Sequence, residues 1–296
     1  MTTKYQFILS LLSAMLAPAW VLAAQDIDER RPLANDGSVT VINVAGDITI
    51  TAWDRAEVQL LGSLGDESTL DISESGQGLR IEVKQRDEER NNQHYESSEL
   101  QLTIPEGATV SASGVSSDIE IRGLRGAAVT AETVSGDVKV TAHSNRVDLK
   151  SVSGDIGFDG ASPRVTAESV SGDVVLRGVE GELNVSVVSG DVELHAGALD
   201  RGRFEAVSGS LDLALSLREN SSVNVESMSG DVNVVLPAGQ AMEIRAQTFS
   251  GSIRSGFGSP QKVSHGPGSR LDHTEAGGGA SLRLESFSGD VEISQQ

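Results

Sequence analysis

Asp118, Asp137, Asp155, Asp173, Asp191 and Asp231 recur in this 296-residue chain in one local setting, each after Gly or Ser and before an apolar residue. A column of carboxylates built from such a repeat could load cations, calcium foremost, and paired carboxylates are also the groups that cleave glycosidic bonds. Each repeat offers only one carboxylate, however, whereas calcium takes roughly six to eight oxygens. The Gly-Gly-x-Gly-x-Asp nonapeptide of calcium-binding β-rolls is also missing. Asp beside Gly has a structural use that needs no ligand, because its carboxylate can bond nearby amides and hold a turn. That use ranks first; Asp137, Asp155, Asp173, Asp191 and Asp231 are the metal candidates if a cation does bind.

The other chemistry-bearing residues form no constellation. His94, His143, His195, His265 and His273 include no His-Glu-x-x-His pair, and with no cysteine in the chain there is neither a disulfide framework nor a thiolate ligand. The serines build no Gly-x-Ser-x-Gly elbow and no phosphate-binding loop. Catalytic residues and cofactors are therefore expected to be absent. A β-helix enzyme acting on acidic polysaccharide stays open as an alternative, since Asp and Glu occur throughout. Against it, only ten residues are aromatic, few for a sugar-binding cleft.

The aspartates belong to a longer box, apolar-Ser-Gly-Asp-apolar, seen cleanly at Val134-Ser135-Gly136-Asp137-Val138 and again around Gly154, Gly172, Gly190, Gly230 and Gly289. Degenerate copies surround Ser117, Gly209 and Gly251, and Val44-Ala45-Gly46-Asp47-Ile48 is an early outlier. From Ser117 to Gly251 the steps are 19, 18, 18, 18, 19, 21 and 21 residues. A period near 20 predicts a solenoid whose units bury their apolar side chains only against their neighbours. In the copy Val165–Val179, Val165 and Ala167 read as one inward set and Val170, Gly172, Val174 and Leu176 as another. Two or three short faces would then wrap a narrow interior, with Thr166, Glu168, Val175 and Arg177 outward. The degenerate copies suggest a corner of moderate demands, and Phe249 and Phe287 in the Val170 position predict a wider interior near the C-terminal end.

The elements around the repeat are legible from alternation. Residues 1–23 read as a signal peptide, with Lys4, an apolar run from Phe7 to Leu22, and a cleavage site at Val21-Leu22-Ala23. Residues 24–37 read as a disordered arm and 38–104 as an N-terminal β-strand region. That region holds short runs at Val39–Val44, Ile48–Thr51, Val58–Leu61, Leu70–Ile72, Leu79–Val83 and Leu100–Ile104, a hairpin turn at Ser75-Gly76-Gln77-Gly78, and a polar loop near 85–99. The repeats fill 105–296, with a Gly-rich insertion or flap at 256–280. No segment after the leader is long and apolar enough to span a membrane. With 43 acidic against 23 basic side chains and a net charge of −20, the surface repels nucleic acid and anionic lipid.

The run Leu100-Gln101-Leu102-Thr103-Ile104-Pro105, then Ser113-Gly114-Val115-Ser116-Ser117-Asp118-Ile119-Glu120-Ile121 and the Val-Ser-Gly-Asp-Val boxes, resembles the bacterial β-strand-repeat family of putative adhesins, a domain without an assigned function. The resemblance spans roughly 38–294 and implies a β-solenoid or β-helix in an exported or envelope setting; it brings no catalytic residues. The expected protein is all-β: a single-chain β-solenoid of about 18–21 residues per coil, its N-terminal strands continuous with the stack or capping it. Its expected role is a non-enzymatic, adhesin-like interaction or structural scaffold of the cell envelope, in the periplasm first, otherwise at the cell surface or secreted. The partner would be an envelope protein or glycan. The alternatives are a calcium-dependent binding protein and the polysaccharide enzyme.

Overall fold

The computed structural model describes residues 25–66, 68–85, 96–263, 266–277 and 279–296; the leader expected at 1–23, His94 and His265 lie outside them. The described chain is all-β. Its N-terminal strands are β1 (Gln25–Pro32), β2 (Ser38–Ala45), β3 (Ile48–Trp53), β4 (Glu57–Leu64), β5 (Ser68–Ser75), β6 (Gly78–Gln85) and β7 (Glu99–Pro105). The regular repeats give β8 (Thr109–Ser116), β9 (Ile119–Leu124), β10 (Ala128–Ser135), β11 (Val138–His143), β12 (Arg146–Ser153), β13 (Ile156–Ala161), β14 (Arg164–Ser171), β15 (Val174–Arg177) and β16 (Gly181–Ser189). Two long strands follow, β17 (Val192–Ser208) and β18 (Leu211–Ser229), then β19 (Val232–Leu236). The last group is β20 (Met242–Ser250), β21 (Ile253–Ser255), β22 (Gln261–Lys262), β23 (Ser269–Glu275), β24 (Ala280–Ser288) and β25 (Val291–Gln295).

Each coil contributes one strand to each of two parallel ladders. On the first face β2, β8, β10, β12, β14 and β16 pair in order and are followed by the C-terminal half of β17 and of β18. On the second, β3, β9, β11, β13 and β15 lead into the N-terminal halves of β17 and β18. The register superposes like on like: Val147 lies on Val165 and Val165 on Leu183, Leu149 on Ala167 and Ala167 on Val185. Because the side-chain period is two, that register sends the same parity inward on every coil. The core is a continuous column of Val, Ile, Leu and Ala, with Phe158 and Phe204 its bulkiest members. No coil can shield this column alone, so stability is a property of the stack.

Both ends differ from a simple spiral. At the N-terminal end β6 lies parallel on β2 and β5 turns back antiparallel on β6, while β7 lies parallel on β3 and carries β4 and then β1 antiparallel. Residues 25–32, expected in a disordered arm, thus form a full strand. Their polar sequence suits an edge, where charge discourages pairing with a second molecule, and Ile27 tucks into the core. At the other end the last coil in sequence, β24–β25, is not last in space: it sits between β18–β19 and β20–β21. β23, from the Gly-rich segment, pairs antiparallel with β20 and carries the short β22 antiparallel in turn, which closes the first face. Among the described residues no helix is long and apolar enough to cross a membrane.

Candidate functional site

The Ser-Gly-Asp corner solves a stacking problem three ways at once. Its glycine adopts a left-handed backbone, with φ of 143° at Gly172, and a Cβ there would overlap the Gly154 carbonyl oxygen of the coil beneath. The same overlap recurs from Gly136 to Gly289, so the corner is strict where a moderate demand was expected. Ser117, the one exception inside the repeats, is accommodated by Gly114: a Cβ on Gly114 would fall 2.6 Å from that of Ser117. Inside the corner a column of hydroxyls bonds the carbonyls that the turn directs inward. Thr133 Oγ1 donates to Ser117 O at 3.0 Å, Ser169 Oγ to Gly172 O at 3.2 Å and Thr248 Oγ1 to Gly289 O at 3.3 Å.

The aspartates bond the amides that remain. The N–H of Asp137 donates to Asp118 Oδ1 at 2.8 Å, Asp155 to Asp137 at 3.1 Å, Asp173 to Asp155 at 2.9 Å and Asp191 to Asp173 at 2.8 Å. Ser210 continues the column by donating to Asp191, so the gap before Asp231 is filled by a donor without a carboxylate. Beyond it Asp290 donates to Asp231, and Ser252 to Asp290. The metal candidates are therefore brought into one line, with one oxygen of Asp137, Asp155, Asp173, Asp191 and Asp231 each engaged by the neighbouring coil. The Asp155 amide, aided by Lys139 at 3.1 Å, holds the Asp137 carboxyl below the usual carboxylate range. The Ser252 amide does the same for Asp290. Among the described residues no group of three or more His, Asp or Glu is arranged to hold a metal ion. His195 and His273 each contact one nearby glutamate, Glu193 at 3.1 Å and Glu275 at 2.9 Å.

The hydroxyl column overturns one expectation about the repeat. Ser169 continues the inward parity of Val165 and Ala167, so Val170 points outward, and the phase slips at Ser171-Gly172. From Val115 onward every residue in the Val170 position behaves alike, whereas Val44 of the early box is half-buried. Val115, Val134, Val152, Val170, Val188, Val207, Met228, Phe287 and Phe249, in spatial order, form an apolar rail whose members are 44–58% exposed. Phe249 and Phe287 therefore do not widen the interior. They stack outside it, ring centroids 5.0 Å apart and planes 5° from parallel, because β24 lies beside β20. Beside the large end of the rail runs a groove of about 580 Å³ lined by Val188, Val207, Met228, Phe249 and Phe287 together with Glu205, Glu226 and Glu285. Sequence reasoning missed this surface because apolar type was taken to mean burial. The signal that finds it is the residue before each rail member, in phase with the core: a small hydroxyl at six of the nine positions, and Gly114, Val187 and Ala206 at the other three.

Parallel two-strand coils, glycine corners stacked carbonyl on Cα, and antiparallel strands at both ends define a capped β-solenoid. The Toastrack (DUF4097) family model matches residues 38–294, and this chain belongs to that family. It is similar to the crystal structure of a putative adhesin from Bacteroides fragilis at 12% identity, with 93% of this chain and 98% of that one covered and a TM-score of 0.44. A putative adhesin from Parabacteroides distasonis is similar at 13% identity, 91% and 97% coverage and a TM-score of 0.45. A putative lipid binding protein from the same species follows at 14% identity, 90% and 96% coverage and a TM-score of 0.43. Comparison with curated proteins finds no match.

Proposed function

We propose that this protein is an exported, non-enzymatic scaffold of the bacterial cell envelope, periplasmic in the first instance, that docks an envelope protein or glycan along its apolar rail. The observation that carries the reading is the rail itself: nine apolar side chains, one per coil, stand exposed on a chain of net charge −20. Contiguous exposed apolar surface on a soluble fold marks interaction sites. Export is supported by the apolar run Phe7–Leu22 and the small-residue site that follows it. A binding role is supported by the use made of the carboxylates in the repeated boxes, which hold the next coil's amides instead of converging on a cleft.

The test is sedimentation of the purified protein with isolated bacterial envelope material. Saturable binding is expected, weakened at least tenfold by serine substitution of Met228, Phe249 and Phe287 together, with unchanged circular dichroism. Equal binding by that variant would remove the rail from the reading. Specific release of reducing ends or unsaturated sugars from acidic polysaccharide by the pure protein would overturn the non-enzymatic role.

A further inference from the structure

The rail is not uniform, and its large end coincides with a change in the charges beside it. One strand position inward from the rail, on the same outer surface, runs a column that in mid-stack is balanced: Lys150 sits in register between Glu132 and Glu168 and pairs with Glu168 at 3.2 Å. At the large end the column becomes Glu205, Glu226 and Glu285 on three successive coils. Like charges in register on neighbouring strands destabilise a sheet. Arg203 pairs with Glu205 and Arg283 with Glu285. In the corresponding place beside Glu226 the chain has Asn224, and among the described residues Glu226 has no ion-pair partner. The opposite flank of the rail is a serine column followed by Asp191, Ser210, Asp231 and Asp290.

The groove is thus a single-file apolar floor, ending in a stacked Phe pair, with Glu205, Glu226 and Glu285 on one margin and Asp191, Asp231 and Asp290 on the other, and neutral flanks, Gln247 and Ser252, at Phe249. The spacing of the floor selects among partners. Rungs repeat about every 4.8 Å. An α-helix laid along them repeats every ~5.4 Å and drifts by about half a rung over the four steps from Val188 to Phe249. A strand presents same-face side chains every ~6.7 Å and loses register within about three steps. A second copy of this chain has the matching period but would set acidic margin against acidic margin at a net charge of −20 per molecule. The four steps span about 19 Å, the length of roughly 13 helical residues.

We propose that the groove beside Met228, Phe287 and Phe249 binds a basic amphipathic helix of an envelope protein, its apolar stripe on the rail and Lys or Arg on both flanks of that stripe. Helix-in-groove recognition has this form generally. The inference rests on the docking role proposed for the rail and names the partner's chemistry.

The probe is a fluorescein-labelled synthetic peptide of about 15 residues with Leu along one helical face and Lys on both sides of it. A scrambled peptide of equal composition and one with Glu in place of Lys are its controls. Anisotropy titration against the full protein is expected to give saturable binding at least tenfold tighter than either control and weakening with salt. E205Q/E226Q/E285Q should weaken it about tenfold, F249S/F287S more, and V134S/V152S less than twofold; all these positions are at the surface, and matching melting curves confirm the fold. Equal affinity for the scrambled peptide, or indifference to the groove variants, overturns the proposal. A concentration-dependent dimer abolished by F249S/F287S overturns it in favour of a second copy. If the peptide fails to bind while envelope binding remains rail-dependent, the helix is wrong and the docking role stands; if the rail variants lose neither, both fall.

Discussion

Val170 and Gly172 sit two residues apart under opposite constraints. Gly172 combines a φ of 143° with the Gly154 carbonyl oxygen where a Cβ would go. Gly172→Ala is therefore expected to cost at least about 2 kcal/mol, with backbone strain and overlap both contributing. Gly157→Ala, whose Cβ would meet nothing closer than Lys139 Cγ at 3.7 Å, should stay within about 1 kcal/mol; urea unfolding of the two variants checks the contrast. Val170→Thr should shift stability by less than about 0.5 kcal/mol because its side chain faces water, whereas an inward Val would lose far more. The carboxylates give a pH dependence with a definite sign. Asp137 and Asp290 are held below their ordinary value of 3.8 in the fold. Their contribution is complete above that value and fades as pH falls through the lower folded-state values. Unfolding midpoints should thus drop below about pH 4, less steeply in Asp137→Asn, which keeps an acceptor oxygen but has no charge to lose. The chemistry of this corner was legible in sequence, since Gly and Asp at a fixed period leave few other uses. The orientation of Val170 was not, because an apolar residue beside a corner fits either face until the hydroxyl at Ser169 is given its bond.

The strands themselves followed from alternation, and their lateral order in the repeats followed from the period. The ends did not. β1 carries Asp26, Asp28, Glu29, Arg30 and Arg31, a composition that reads as a solvated arm, yet an edge strand tolerates it because only one side of its backbone is paired. The placement of β24–β25 was hidden for a different reason. Its box is interchangeable with that of β20–β21, so either could stack on β18–β19, and the local hydrogen-bond chemistry is the same. Ser252 lacks the carboxylate that would hold a further coil's amide, which suits the outermost position, but Ser210 shows that the box tolerates this loss inside the stack. Truncation after residue 279 tests the arrangement. It removes an internal coil and leaves β20, β21 and β23 without their support. Limited proteolysis should then cut the segment 237–279 at least tenfold faster than in the full chain, while residues 105–236 stay resistant; equal resistance throughout would mean that β20–β21 can close the gap directly.

For the molecule as a whole, the period near 20 was enough to call a solenoid, because no other architecture repeats a glycine corner at that interval while keeping apolar parity on both sides of it. With Asp oxygens already bound to amides along the column, the melting temperature should be the same in chelator and in millimolar calcium; a rise of several degrees with calcium would make the column a cation site after all. The position of the last coil in sequence also bears on descent. Because that coil lies inside the stack, and antiparallel strands close both faces at the N-terminal end and the first face at the other, units appended at either terminus would not continue both ladders. Duplication of a whole 18-residue unit within the regular stretch, by contrast, inserts one more glycine corner, one more carboxylate and one more rung of the rail without disturbing the ends. Relatives of different length should differ by complete interior coils, with the antiparallel strands at the two ends retained.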